Sequence, residues 1–288
     1  MVQPEQVPGT QCYHGEGPCW ANDWGDGGGG LRFVDMLAGD VLALDSGGTV
    51  TRTHVGEVAA VIRPRASGGA VLALKDSFAV TDGDLGQLRT VARVGLPPGV
   101  RLNEGGCDPD GRFYCGSMAT DESPQAGTFY SLEPDGTVRP VMEKVSISNG
   151  FGFSPDGGTA YYVDTPEQGI DIFDYSTATG LVNRRRWVDV PYDTGRPDGL
   201  TVDAEGGVWL ALMEGSAVHR YAPSGALDTV ITLPVSQVTA CTFGGADLDT
   251  LYITTSQIGT DTTAQPAAGV LFAIRPGVRG RPAESFAG

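Results

Sequence analysis

Short apolar runs of four to six residues alternate with polar turns along almost the whole chain. Clear examples begin at Asp108 (DPDGRFYCGSM), Ser154 (SPDGGTAYYVD) and Asp203 (DAEGGVWLALM). Apolar runs of this length that are bounded by Gly, Pro and Asp are typical of β-strands, and no long stretch has helical periodicity. The pattern therefore predicts an all-β protein.

These units repeat along the chain. The three clear examples begin about 45–50 residues apart, and fainter copies lie at 28–50, 67–80 and 244–255. A repeat of this length that carries several strands is the signature of a β-propeller blade, a four-stranded antiparallel sheet. We therefore predict one domain over residues 1–288, a six-bladed β-propeller around a central channel. A β-sandwich would not explain the regular period.

Polar residues recur at one position of the repeat. Counting five residues back from the turn gives a candidate in each copy: Glu16, Ala60, Asn103, Asn149, Asp198 and Thr239. Because the innermost strands of a propeller run along its channel, equivalent positions should form a ring. Carboxylate and amide oxygens without His or Cys suit a hard divalent cation. Taken singly, Asn and Asp beside Gly are ordinary turn formers, so it is the common offset that favours a metal-containing channel.

Composition narrows the classes of function. The 288 residues carry a formal net charge of −16, which disfavours nucleic acid and anionic membranes as partners. No apolar run approaches the ~20 residues that span a bilayer, and no secretory signal is visible at the N-terminus. The five cysteines are odd in number and form no CxxC pair, as expected for reduced thiols in a cytoplasmic protein.

Four motifs resemble those of the gluconolactonase, regucalcin (senescence marker protein) and luciferin-regenerating enzyme family. They are GEGPCW (15–20), RLNEGGCDPDGRFYCGSM (101–118), ISNGFGFSPDGGTAYYVD (147–164) and RPDGLTVDAEGGVWLA (196–211). The resemblance is collinear over almost the full chain. It implies a six-bladed propeller with one divalent metal in the channel and hydrolysis of sugar lactones. Ca²⁺ is the favoured ion, with Mg²⁺, Mn²⁺ and Zn²⁺ as alternatives.

The resemblance also implies roles for individual residues. The family's metal ligands fall on Glu16, Asn149 and Asp198, its substrate contacts fall on Arg101 and Asn103, and an acidic sugar contact falls on or near Asp121. The chain departs from the family pattern at three places. Glu104 replaces a frequent Asp, Asp121 is shorter than the Glu of some members, and His14 is not part of the pattern.

These residues suggest a mechanism for opening a lactone, which is a cyclic ester. Asp198 would act as the catalytic residue by accepting the proton of the attacking water, and Arg101 would bind a hydroxyl or the developing oxyanion. The expected partner is a small-molecule sugar lactone, and the expected assembly is a monomer or a small homo-oligomer. Two alternatives stay open: a phosphotriesterase-like hydrolase and a non-catalytic calcium-binding regulatory propeller. His14 is expected to pack near the site and not to act as a base.

Overall fold

In the computed structural model, which describes residues 3–288, six four-stranded antiparallel sheets follow one another along the chain. The chain begins with a short strand, β1 (Glu5–Gln6). Blade 1 then contains β2 (Gly15–Ala21), β3 (Gly30–Asp35), β4 (Asp40–Asp45) and β5 (Val50–His54). Blade 2 contains β6 (Ala59–Pro64), β7 (Ala70–Leu74), β8 (Ser77–Thr81) and β9 (Arg89–Arg93). Blade 3 contains β10 (Val100–Cys107), β11 (Phe113–Ala119), β12 (Gly127–Leu132) and β13 (Val138–Val145).

The remaining three blades follow the same order. Blade 4 contains β14 (Ser148–Phe153), β15 (Thr159–Asp164), β16 (Gly169–Ser176) and β17 (Gly180–Asp189). Blade 5 contains β18 (Arg196–Val202), β19 (Val208–Met213), β20 (Ala217–Tyr221) and β21 (Leu227–Thr232). Blade 6 contains β22 (Val238–Gly244), β23 (Thr250–Thr255) and β24 (Phe272–Ile274), and β1 completes it. Three short 3-10 helices lie at Met36–Ala38, Thr165–Glu167 and Tyr192–Thr194.

The six innermost strands surround a common axis. They are β2, β6, β10, β14, β18 and β22, and each contacts the next, with β22 contacting β2. The ring is closed in blade 6, where β1 pairs with β24 through Glu5 opposite Ala273. The predicted six-bladed β-propeller of four-stranded antiparallel blades is therefore confirmed.

The repeated turns that revealed the blades join each innermost strand to its neighbour. Asp203 Oδ1 accepts hydrogen bonds from the backbone N–H groups of Glu205 and Gly207, at 2.9 and 2.8 Å. Its Oδ2 accepts from Trp209 Nε1 and Arg220 Nε, at 2.9 and 2.7 Å. The carboxylate is fully buried, so these four donors replace the water that it loses on folding. The turn acid is thus a structural residue of the blade.

Apolar side chains fill the spaces between neighbouring blades. Between blades 3 and 4, for example, the rings of Phe129 and Phe151 meet edge to face with their centroids 5.2 Å apart, and Tyr114 packs against both. The five cysteines are also buried, and none forms a disulfide. Among residues 3–288 there is no helix with the length and apolar character needed to cross a membrane.

The C-terminal segment crosses from blade 2 to blade 3. Phe286 donates its backbone N–H to the carbonyl of Pro64 at 2.9 Å, and its own carbonyl accepts from the N–H of Ala66 at 2.8 Å. The next residue, Ala287, donates to the carbonyl of Gly111 in blade 3 at 2.9 Å. The Phe286 side chain is buried in the apolar cluster shared by these two blades. The segment therefore fastens the two blades together.

Removing the Phe286 ring should destabilise the propeller. Because the ring is almost fully buried, we expect Phe286→Ala to lower the free energy of unfolding by about 3–5 kcal/mol. Urea denaturation measures this change. Leu227→Ala is the control, since Leu227 is 48% exposed and its truncation should change stability by less than about 0.5 kcal/mol. Equal stability of the two variants would contradict a fastening role for the segment.

Candidate functional site in the channel

All six innermost strands carry a β-bulge in their first half. The irregular stretches lie between Glu16 and Cys19, Ala59 and Val61, Leu102 and Gly105, Ser148 and Phe151, Pro197 and Leu200, and Val238 and Ala240. A bulge bends its strand and changes the direction of a side chain. Asn103, Asn149 and Asp198 lie within bulges, and Glu16 is the last paired residue before one. The irregular stretches therefore fall at corresponding positions of the six innermost strands.

Glycine follows the candidate ligand in blades 4 and 5 because neighbouring strands approach closely there. A Cβ on Gly150 would lie 2.7 Å from the backbone nitrogen of Leu200, and one on Gly199 would lie 2.4 Å from the Cβ of Ala240. Only glycine fits at such distances. Asn149-Gly150 and Asp198-Gly199, which could have been turn signals, are instead points where the bulged strands of adjacent blades touch.

Asn149 and Asp198 present unpaired oxygen atoms. Their side chains are 4% and 3% exposed, and within residues 3–288 neither Asn149 Oδ1 nor Asp198 Oδ1 has a hydrogen-bond partner. The amide of Asn149 is oriented by its nitrogen, which donates to Thr165 Oγ1 at 3.1 Å. An unpaired buried oxygen is costly and uncommon in proteins, so two of them in adjacent blades indicate a site that binds something.

Glu16 approaches the same region from blade 1. Its side chain is buried, and Oε2 accepts a hydrogen bond from the backbone N–H of Gly17 at 3.1 Å. Burial raises the pKa of Glu16 well above its usual value, and the negative charges of Asp198 and Glu104 raise it further. Burial also raises the pKa of Asp198, and the negative charge of Glu104 raises it further. Carboxylates from three blades therefore repel one another in the channel.

Glu104 forms a buried ion pair with Arg63 of blade 2. Its Oε1 accepts from Arg63 Nη2 at 2.8 Å and from the backbone N–H of Gly105 at 2.8 Å. Both side chains line a cavity of about 120 Å³ that the C-terminal residues 281–284 also line. No sequence motif pointed to Arg63; its only signal is a charge in the otherwise apolar strand AAVIRP of blade 2.

Arg101 and Asn103 form a second buried pair. Arg101 Nη1 donates to Asn103 Oδ1 at 2.6 Å and to the carbonyl of Leu102 at 3.0 Å. Asn103 Nδ2 donates to the carbonyl of Ser148 in blade 4 at 2.9 Å. Burial lowers the pKa of Arg101, whereas the charges of Glu16 and, more weakly, Asp198 oppose this change. The guanidinium therefore lies within electrostatic reach of the acidic residues in the channel.

His14 lies beside Glu16 but is held neutral. Its Nδ1 is 2.9 Å from Ser256 Oγ, and its Nε2 is 4.0 Å from Glu16 Oε1. Burial lowers the pKa of His14 to about 3, with a further contribution from the charge of Arg101. A histidine with this pKa is uncharged at neutral pH, and it is a weak proton acceptor.

Asp121 is separate from the buried group. The side chain is exposed, and Oδ1 accepts a hydrogen bond from the backbone N–H of Ser123 at 3.0 Å. It follows β11, whose residue Ala119 pairs with Val100, so Asp121 lies at the end of blade 3 where β10 begins. The neighbouring Glu122 forms an ion pair with Arg196 of blade 5 at 2.9 Å. A substrate contact by Asp121 stays a prediction.

The residues present fit a hard divalent cation. Among the described residues no three His, Cys, Asp or Glu side chains form a metal-binding group by themselves. The predicted metal ligands are not a group of that type, because they combine the carboxylates of Glu16 and Asp198 with the amide oxygen of Asn149. Unpaired oxygens and repelling carboxylates are what such an ion would satisfy. Glu16, Asn149 and Asp198 are therefore suitable ligands, and their role stays a prediction.

Comparison with known proteins places the chain among its relatives. The family model described as the SMP-30/Gluconolactonase/LRE-like region matches residues 14–257. Regucalcin of Danio rerio is 35% identical over 283 residues, 95% of each chain. Pentonolactonase XacC of Haloferax volcanii is 35% identical over 287 residues, 96% of each chain. The structure of the calcium-binding protein regucalcin from Agrobacterium tumefaciens matches with a TM-score of 0.92 and 27% identity, over 99% of this chain and 97% of that one.

Fold and site together define a six-bladed propeller with buried acidic and amide side chains at its channel. The match to the family model and the sequence identity with relatives over nearly their full length show which family of this class the chain belongs to. The chain belongs to the SMP-30/gluconolactonase/LRE-like family, as the four sequence motifs indicated.

The charge of Asp198 should destabilise the metal-free protein. Because its folded-state pKa is raised, the stability contributed by its protonated form is present below the unfolded-state pKa of about 4 and is lost as the pH rises through the folded-state value. Asp198→Asn should therefore raise the free energy of unfolding at pH 8 by roughly 1 kcal/mol. Urea denaturation in EDTA measures this.

The matched control is Asp174→Asn, which alters a side chain that pairs with Arg185 on the outer strands of blade 4. Its stability should change by less than about 0.5 kcal/mol at pH 8. An Asp198→Asn protein no more stable than the wild type would contradict the repulsion described for the channel.

Proposed function

We propose that this protein is a metal-dependent hydrolase that opens sugar lactones to the corresponding aldonic acids. The observation that carries the proposal is that two buried oxygens, Asn149 Oδ1 and Asp198 Oδ1, have no hydrogen-bond partner in the described part of the chain. The positively charged Arg101 is close enough to Glu16 and Asp198 for their charges to influence its pKa. A pentonolactonase among the full-length relatives supports a lactone as the substrate. The calcium-binding relative supports Ca²⁺ as the ion, with Mg²⁺, Mn²⁺ and Zn²⁺ as alternatives.

Glu16, Asn149 and Asp198 would hold the ion. When bound, a divalent cation would polarise the lactone carbonyl and lower the pKa of water. The protein supplies the remaining steps. As water attacks the carbonyl carbon, the Asp198 carboxylate accepts its proton, and the ring C–O bond breaks. The same proton then passes to the departing ring oxygen, which becomes a hydroxyl group of the product acid.

Arg101 is suited to bind the substrate. Only its Nη1 forms hydrogen bonds with the described part of the chain, to Asn103 Oδ1, the Leu102 carbonyl and Met36 Sδ. Nε and Nη2 stay available to donate to a ring hydroxyl or to the developing oxyanion. In other hydrolases, removing a donor of this kind raises the activation free energy by roughly 2–4 kcal/mol. Asn103, whose amide is engaged on both sides, fixes the position of Arg101.

The polar character of the mouth favours a sugar. Asp121 is exposed and follows β11 at one end of blade 3. Strand β10 begins at the same end, and Arg101 is its second residue. Carboxylates and guanidinium groups that face a substrate recognise hydroxyls by hydrogen bonding. We therefore assign Asp121 a contact with a lactone hydroxyl as part of this proposal.

A non-catalytic calcium-binding propeller is the second candidate. It is favoured by one observation, which is that the structurally similar protein from Agrobacterium tumefaciens is described as a calcium-binding protein. Binding of an ion alone does not require a positively charged side chain such as Arg101 beside the ligands. The measurement of hydrolysis separates the two candidates.

Lactone hydrolysis should depend on both the metal and Asp198. After removal of metal with EDTA, we expect a pH-stat assay on five- and six-membered aldonolactones to show only the spontaneous rate. Adding Ca²⁺, Mg²⁺, Mn²⁺ or Zn²⁺ singly should restore activity with at least one ion. Asp198→Asn should lower kcat by about 10²–10⁴-fold, because the proton acceptor is lost. Asp174→Asn should retain wild-type activity.

Two results would contradict the proposal. If Asp198→Asn keeps full activity, the residue is not the proton acceptor. If the protein binds a cation but hydrolyses no lactone, the lactonase function is wrong. A phosphotriester panel under the same conditions then tests the phosphotriesterase-like alternative, and inactivity there supports the non-catalytic propeller.

A further inference from the structure

The three candidate metal ligands share a backbone feature. Each follows a residue whose carbonyl accepts a hydrogen bond from a side chain of the preceding blade. The three bonds run from Thr239 Oγ1 to the Gly15 carbonyl at 2.6 Å, from Asn103 Nδ2 to the Ser148 carbonyl at 2.9 Å, and from Thr165 Oγ1 to the Pro197 carbonyl at 2.8 Å. Gly15, Ser148 and Pro197 directly precede Glu16, Asn149 and Asp198.

These bonds fix each strand just before its bulge. The donors Asn103, Thr165 and Thr239 are 4%, 4% and 0% exposed, so water does not compete for the carbonyls. A fixed carbonyl sets the plane of the peptide that leads into the next residue. The direction in which that residue projects its side chain is then set by the neighbouring blade as well as by its own sheet.

The remaining innermost strands lack such a bond. Leu102, which precedes Asn103, has its carbonyl bound by Arg101 of its own strand. In the described part of the chain, no side chain of a preceding blade donates to the equivalent carbonyls of Ala59 and Val238. The inter-blade bonds thus coincide with the three strands that carry the candidate ligands, and general stabilisation of blade contacts does not explain this distribution.

Thr165 acts on two ligands at once. Its hydroxyl hydrogen goes to the Pro197 carbonyl, next to Asp198, and its oxygen accepts from Asn149 Nδ2 at 3.1 Å. A hydroxyl has one hydrogen to donate and lone pairs to accept, so both bonds can form together. Because Thr165 holds the amide nitrogen of Asn149, the Oδ1 atom of Asn149 is left to bind a cation.

We infer that Thr165 and Thr239, together with Asn103, are positioning residues that aim Asn149, Asp198 and Glu16 at a common cation. The inference rests on the metal-dependent function proposed above and adds residues from the neighbouring blades to that site. Thr165 and Thr239 do not touch the ion; they act through the carbonyls and the amide that they hold. Partners of this kind orient ligands in metal sites, and their loss typically lowers metal affinity 10–100-fold.

The test is Ca²⁺ affinity in variants that lose only the hydroxyl. Thr165→Val and Thr239→Val keep the β-branched shape, and Thr255→Val is the matched control. Thr255 is 1% exposed and donates to the Val270 carbonyl at 2.7 Å, so its hydroxyl holds no carbonyl that precedes a candidate ligand. Calorimetric titration of the EDTA-stripped proteins with CaCl₂ should give a Kd at least tenfold higher for the first two variants and within about twofold of wild type for the control.

Thr165→Ser and Thr239→Ser guard against misfolding. They retain the hydroxyl and should restore affinity to within about threefold of wild type, whereas urea denaturation without metal compares the stabilities of all five variants. Equal Kd values for Thr165→Val, Thr239→Val and Thr255→Val would overturn the inference, as would a wild-type protein that does not bind Ca²⁺. If the wild type binds Ca²⁺ without hydrolysing lactones, the lactonase proposal fails and the affinities still decide the positioning role.

Discussion

Six strands have to pass around one narrow channel, and this constraint determines the rest of the structure. Each innermost strand contacts its neighbours on both sides, so a bulge in one strand has to fit the next. Gly150 and Gly199 allow this where adjacent bulges touch. The arrangement places corresponding positions of the six strands around the channel, and the polar side chains at these positions are buried. The chemistry of those six positions therefore decides what the channel can bind.

The acidic side chains at these positions are held in an unfavourable state by the fold. Burial and mutual repulsion raise the pKa values of Glu16 and Asp198, and two oxygens lack donors. Such strain is maintained only because well-packed blades, apolar clusters and buried turn acids such as Asp203 stabilise the surrounding structure. A site that binds a cation tightly has to be prepared in this way, because ligands that were already satisfied within the protein would gain little from the ion.

The sequence predicted the architecture and much of the candidate site, but not how the site is held together. The repeat period predicted six blades, and the common offset selected Asn103, Asn149 and Asp198, which all lie in irregular stretches of innermost strands. The sequence did not indicate a role for Thr165, because this residue lies in a 3-10 helix and not at the position of the repeat that carries the candidate ligands. Hydrogen bonds such as those from Thr239 to Gly15 join residues far apart in the chain, and only the packing of blades brings them together. The position of Asp121 likewise depends on a loop conformation that no period specifies.

Binding of a single divalent cation by Glu16, Asn149 and Asp198 in the channel is central to the proposed function. Crystals grown with MnCl₂, measured at a wavelength where manganese scatters anomalously, would locate the ion directly. We predict one anomalous peak with oxygen atoms of all three side chains about 2.0–2.4 Å away, as is usual for oxygen ligands of hard divalent cations. A peak elsewhere, or a channel without a peak in crystals that contain the ion, would contradict the account.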